Sequence, residues 1–270
     1  GFRVAGYFSD MKGWGKNIAP TGPGIAEPTS RRSPNGDEIA GRLTLKWEPD
    51  DQFNARFKFT YGRMKNDGPT SLFQPVNCPL GAPQGSFAPE NCVADGISTT
   101  SALGPGFGQL FNKRFGDGNT YLKQSQLLSG LELNYNLTDN LTLTSVTGLY
   151  RVRTSFVGNF TDNFRETGVP PKTLLGSYQR FGLRELTEEL RLTSDFEGAF
   201  NFMIGGLYQD TKARTQTITA FNGTAPSFSN SLYFEQKGTA WSAFAQGMID
   251  ITPTLELSVG GRYSHEKKRL

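Results

Sequence analysis

Two carboxylates four residues apart, Glu185 and Glu189, with Arg191 close behind, are the nearest thing in this chain to a hydrolytic pair. Acid–base cleavage of a glycosidic bond needs two such groups flanking one bond. Nothing else of an active site accompanies them, and Arg191 offers neutralisation, so no enzymatic activity is expected. The single histidine, His265, lies beside Glu266 and Lys267 at the end of an alternating run, where solvation explains it better than metal ligation. Cys78 and Cys92 have no histidine nearby and make a poor zinc site. Gly104-Pro-Gly-Phe-Gly108 lacks the Lys-Ser/Thr of a phosphate-binding loop. No metal or cofactor is expected.

Two further sets carry binding chemistry. Trp14, Phe107, Phe111, Lys113, Arg114, Phe115 and Tyr121 lie in Gly- and Pro-rich stretches, and aromatic platforms beside cations would suit an anionic chelate. A long loop packing on itself accounts for the same residues. Arg42, Lys46, Arg56, Lys58, Glu185, Glu189, Arg191 and Arg262 recur at alternate positions of extended segments. They could guide a solute or touch a stopper in a channel, or simply solvate a polar interior and form ion pairs in its wall.

What must position these residues is a series of long strands. Leu255, Leu257, Val259, Gly261 and Tyr263 alternate with Glu256, Ser258, Gly260, Arg262 and Ser264, and Phe53 to Tyr61 alternates aromatic against polar. A period of two puts these sets on opposite strand faces. The runs supply the roughly 9–11 residues that a tilted strand needs to cross a bilayer. No run approaches the ~18 apolar residues of a membrane helix. Apolar residues make up 36% of the chain, with 32 Gly, 12% aromatics and a formal charge of +3. Mean hydropathy is -0.44. A membrane barrel tolerates such averages because its apolar band comes from every second residue. The scattered bases and small net charge give no sign of a nucleic-acid partner.

In chain order, strands are expected at 2–9, 37–48, 53–61, 123–137, 141–153, 182–193, 200–208, 239–249 and 255–267. Short turns near Asp50, Asp139, Asp195 and Asp250 alternate with loops at 10–36, 62–122, 154–181 and 212–238. Short turns at one end and long loops at the other are the pattern of outer-membrane barrels, with the turns periplasmic and the loops extracellular. The expected fold is all-β, an antiparallel transmembrane β-barrel segment of about nine strands. That number is odd, and hydrocarbon does not tolerate an open sheet edge, so residues 1–270 read as part of a larger barrel domain, incomplete at both ends. An extracellular loop folds through an oxidising compartment, so Cys78 and Cys92 are expected to form a disulfide. Closing a loop of about 15 residues would contribute roughly 3 kcal/mol.

Several segments resemble the mid-barrel strands of TonB-dependent outer-membrane receptors. They are Glu185-Leu-Thr-Glu-Glu-Leu-Arg-Leu-Thr-Ser-Asp195, Phe202-Met-Ile-Gly-Gly-Leu-Tyr-Gln-Asp-Thr-Lys212, Phe244-Ala-Gln-Gly-Met-Ile-Asp-Ile-Thr-Pro253, Leu255-Glu-Leu-Ser-Val-Gly-Gly-Arg-Tyr263 and Gly41-Arg-Leu-Thr-Leu-Lys-Trp-Glu-Pro49. The resemblance implies a 22-stranded barrel closed by an N-terminal plug, in the outer membrane of a Gram-negative bacterium. It also implies TonB-coupled uptake of a scarce solute, with ferric siderophore the first expectation. The partners implied are that small molecule, outer-membrane lipid, and TonB reached through a plug and TonB-binding segment that have no counterpart in this sequence. A passive diffusion porin, with 16 to 18 strands and an open lumen, is the rival.

Overall fold

The structure is a computed structural model describing residues 1–22, 25–74, 76, 78, 92–160, 174–222 and 227–270. In chain order the strands are β1 (Phe2–Met11), the short β2 (Gly15–Asn17) and β3 (Arg32–Ser33), β4 (Gly36–Trp47), β5 (Phe53–Asn66), the short β6 (Ile97–Ser98), β7 (Tyr121–Thr138), β8 (Leu141–Asn159), β9 (Leu174–Ser194), β10 (Phe200–Asn222), β11 (Phe228–Thr252) and β12 (Leu255–Arg269). The nine long strands form one antiparallel sheet in the order β1-β4-β5-β7-β8-β9-β10-β11-β12, and β3-β2-β6 make a small second sheet. A single-turn helix, α1 (Pro105–Leu110), lies in the connection before β7. Among the described residues no helix is long and apolar enough to cross a membrane.

The tight turns are built from local side-chain caps. At 48–52 the Asp50 carboxylate accepts from the backbone N–H groups of Gln52 (3.0 Å) and Phe53 (2.8 Å), which reverses the chain directly into β5. At 195–199 Asn201 Oδ1 accepts from the Phe196 N–H (2.6 Å), and the Ser194 hydroxyl accepts from the Phe202 N–H (2.8 Å).

The strands run further from these turns than their alternation predicts. β8 continues past Arg153 to Asn159, β9 begins at Leu174, β10 extends to Asn222 and β11 starts at Phe228. The described parts of the expected loops 154–181 and 212–238 are therefore largely paired strand. The loop expected at 10–36 holds β2 and β3, and that at 62–122 holds β6 and α1. The reason is physical. Apolar–polar contrast is required only where one face meets hydrocarbon, whereas the backbone ladder continues beyond it.

Register divides the sheet into two faces. Leu45, Phe57 and Leu131 are cross-strand partners on one face, and Lys46, Arg56 and Glu132 are partners on the other. The apolar face stays open to its surroundings: Phe2 is 81% exposed, Trp47 62%, Val259 65% and Tyr263 64%. These rows do not meet in a dry interior, which is how lipid-facing residues should look. Among the described residues the one buried apolar cluster, Leu103, Phe107, Phe115, Val157, Tyr178, Ile218 and Ala220, lies where a loop meets the strand tops. The register is also staggered. The pairing row through Leu43 and Phe59 continues across every strand to Lys267. Leu43 is four residues from its turn and Lys267 twelve from its own, so the strands are tilted, as barrel closure requires.

Two features test this architecture. A Cβ at Gly205 would lie 2.5 Å from the Phe244 ring and 2.8 Å from the Leu190 carbonyl oxygen, and the backbone atom cannot move aside. Gly205→Val should therefore destabilise the barrel by about 1–3 kcal/mol, read as a lower urea midpoint of the full-length protein. Cys78 and Cys92 stand in disulfide geometry with Cα atoms 5.8 Å apart. Intact mass should rise by two hydrogens on reduction.

Candidate functional site

The eight strand charges singled out by alternation, Arg42, Lys46, Arg56, Lys58, Glu185, Glu189, Arg191 and Arg262, all fall on the polar face. Most are tied to neighbours. Arg56 pairs with Glu132 at 2.6 Å, and Lys46 with Glu48 at 2.6 Å. Arg42 donates to the Thr60 hydroxyl at 3.3 Å. Arg262 donates to Ser242 (2.7 Å) and stands over the Phe244 ring, 5.8 Å from its centroid. Asn134 links the wall laterally, donating to Asn54 (2.9 Å) and accepting from Thr144 (2.7 Å). The result is a hydrogen-bonded surface with most of its charges held in place.

Glu185 and Glu189 do not form a catalytic pair. A strand rise of about 3.3 Å per residue sets them about 13 Å apart, beyond the roughly 5–9.5 Å of hydrolytic carboxylates. Glu189 is also held by Arg191 at 3.2 Å. Glu188, the one acid interrupting the leucines of the apolar face, accepts from Ser145 (2.7 Å) and Thr147 (2.5 Å) on β8. Two hydroxyls thus stand in for the water it lacks. His265 stacks at 5.9 Å from Trp241, and the described residues hold no group of three metal-ligating side chains.

The loop residues separate into two roles. Phe107 and Phe115 are 3% and 1% exposed, their rings 5.0 Å apart edge to face, with Phe111 beside them. Buried in the loop cluster, Phe107 and Phe115 anchor the loop and offer no contact surface to a ligand. Tyr121 is partly buried against the same cluster; that burial, with Tyr178 close by, raises its phenol above the usual range. Lys113 and Arg114 remain exposed. Arg114 donates to Gln216 and stands over the Tyr178 ring at 5.6 Å, which places it over the same strand face as the apolar rows. Trp14 is 68% exposed.

Sequence reading missed one charged centre. Glu235 on β11 pairs with Lys212 (3.0 Å), Arg214 (2.7 Å) and Lys237 (3.5 Å). The stretch from Ile249 to Glu235 exceeds the roughly 9–11 residues that a tilted strand spends in a bilayer, so this centre stands above it. Lys212 and then Arg214 hold the Glu235 carboxyl down at about 2, against an ordinary 4.5. A depressed carboxyl contributes stability that is complete above the unfolded value and lost as pH falls toward the folded one. Glu235→Gln should therefore lower the urea midpoint at pH 7. The difference from the parent should shrink below about pH 4.5 and vanish near pH 2.

The sequence model of the family described as "TonB dependent receptor-like, beta-barrel" matches residues 81–269. No curated protein matches the chain by sequence. Among solved structures, the ferric yersiniabactin uptake receptor FyuA of Yersinia pestis superposes with a TM-score of 0.55 at 14% identity, covering 98% of this chain and 34% of its own. The siderophore receptor PiuA of Acinetobacter baumannii gives 0.57 at 14% identity, covering 99% and 38%. The ferric-catecholate import receptor Fiu of E. coli gives 0.58 at 11% identity, covering 99% and 43%. At these identities the likeness shows the fold, and the chain spans roughly a third to two fifths of each receptor's length. The strand order, the two-faced register and the family match together place this chain in the TonB-dependent receptor family, as a portion of its β-barrel.

Proposed function

We propose that this chain is part of the wall of an outer-membrane receptor that imports a scarce solute, with ferric siderophore as its cargo. The observation that carries the reading is the two-faced register of a wall whose family is TonB-dependent. Apolar rows face lipid, and Arg56, Lys58, Arg191 and Arg262 line the lumen, where water or a plug domain of the full-length protein meets them. Several solved structures sharing the fold are named for siderophore uptake, which supports this choice of cargo. Capture falls to exposed loop groups such as Trp14 and Lys113, and release into the lumen to a TonB-driven change in the plug.

Full-length protein should bind a ferric siderophore in preference to cobalamin or maltodextrin, measured by tryptophan fluorescence quenching. Liposomes carrying it should hold small solutes. Failure to bind any of the three, with free leakage of small sugars, would replace this reading with a passive porin.

A further inference from the structure

The register reveals an order along the apolar face that is invisible in composition. Tyr61, Tyr208 and Tyr263 each stand eight residues from the first residue of a strand leaving a tight turn, at Phe53, Phe200 and Leu255, and Trp241 is the direct cross-strand partner of Tyr208. Along tilted strands that is a height of about 20 Å, close to the apolar band of a membrane barrel with its aromatic belts. Beyond this belt the same face, Asp37, Asp210 and Glu235 apart, turns cationic. Arg151 and Arg184 are direct partners, Arg184 also faces Lys212, Arg153 and Arg214 flank Gly182 at the next position up, and Arg180 stands one position beyond. The pattern spreads to both sides, with Arg63, Lys65 and Lys123 on β5 and β7, and Lys237, Lys267 and Arg269 on β11 and β12. On the polar face of β8 and β9 the same levels carry Tyr150, Val152, Leu183 and Phe181. A chain with a net charge of only +3 thus sets twelve of its 28 bases on this face above the belt.

This surface is built as a recess. Arg114, reaching over from the loop, and the six strand cations around it wall a cavity of 510 Å³. Among the described residues Arg151, Arg153, Arg180 and Arg184 form no ion pair, while Glu235 neutralises part of the Lys212–Arg214–Lys237 group. Like charges in direct cross-strand contact, such as Arg151 opposite Arg184, destabilise a sheet unless something anionic lies between them.

We propose that this girdle binds the phosphorylated headgroups of the surrounding outer-leaflet lipid, and that the recess under Arg114 holds one such phosphorylated lipid in place. The choice of a lipid over a soluble anion rests on continuity: the cations begin where the lipid-facing band ends, so an acyl chain on Leu149 and Leu186 brings its headgroup to Arg151 and Arg184. Guanidinium forks match phosphate bidentately. The inference rests on the barrel orientation proposed above.

The test uses full-length protein in detergent, native mass spectrometry, and three probes: bisphosphorylated lipid A, its dephosphorylated form, and inorganic pyrophosphate. Lipid A should remain bound, the dephosphorylated lipid should not, and pyrophosphate should compete only weakly. The variant carrying R151Q, R153Q, R180Q and R184Q should lose lipid A by about fivefold per side chain removed. Arginine-to-lysine versions should recover most of it, and Lys268→Gln, at similar height on the opposite face, should change nothing. Heat-modifiable gel mobility reports that each variant is folded. Unchanged lipid A binding in the folded glutamine variant overturns the proposal, as does pyrophosphate binding as tightly as lipid A. If lipid A binding is lost in the variant while siderophore binding persists, the girdle is confirmed as separate from the transport site. If the parent protein binds siderophore but no lipid A, this inference alone falls.

Discussion

Everything in this structure answers to one constraint: a backbone crossing hydrocarbon has no water to satisfy its N–H and C=O groups, so each must find a partner on a neighbouring strand. The antiparallel ladder meets that demand across the nine long strands from β1 to β12, with irregularities only beside the turns, at Asn136–Thr138 and Asp250–Thr252. Once the ladder is fixed, side chains have only two directions to go, and the chemistry of each face follows from what lies on that side. The low apolar content is a consequence. Only one residue in two, over only part of each strand, has to be greasy.

The polar face shows how such a wall keeps its charges orderly. Arg56–Glu132 and Glu189–Arg191 are held at hydrogen-bonding distance, with Asn134 and Thr144 between them. Exposed pairs of this kind add little stability each. Their effect is geometric: they fix which donors the polar face presents and leave few of its charges free to swing. Glu188 follows the same logic on the opposite face, where two hydroxyls from the adjacent strand make an otherwise costly carboxylate tolerable.

The fold was legible wherever hydrocarbon imposed contrast. Phe53 to Tyr61 and Leu255 to Tyr263 announced their faces, and all eight polar-face charges could be placed by parity alone. Legibility failed above the membrane. Thr154–Asn159 and Gly176–Phe181 pair in full register, yet water and a packed loop ask for no alternation there. The aromatic loop residues were ambiguous for a different reason. Phe107 and Phe115 have the composition of a ligand platform, and only tertiary contact with Val157, Tyr178 and Ile218 shows them to be supports. The outer cations left a trace in sequence, an aromatic or leucine followed by bases two and four residues on, as in Tyr61-Gly-Arg63-Met-Lys65. That trace acquires meaning only when cross-strand register aligns it on several strands.

The stagger of the sheet gives this arrangement a mechanical consequence. Neighbouring strands sit at different depths, so hydrogen bonding alone would accept a two-residue slide that keeps every face correct. Such a slide would draw Lys267 down to the level of His265, or lift a belt aromatic into water. Charge inside the apolar band costs up to about 2–4 kcal/mol per residue at the midplane and little at its rim, so displacement is penalised in proportion to its depth. Each strand therefore carries its own draught mark, and the wall floats at one level because every strand is trimmed separately.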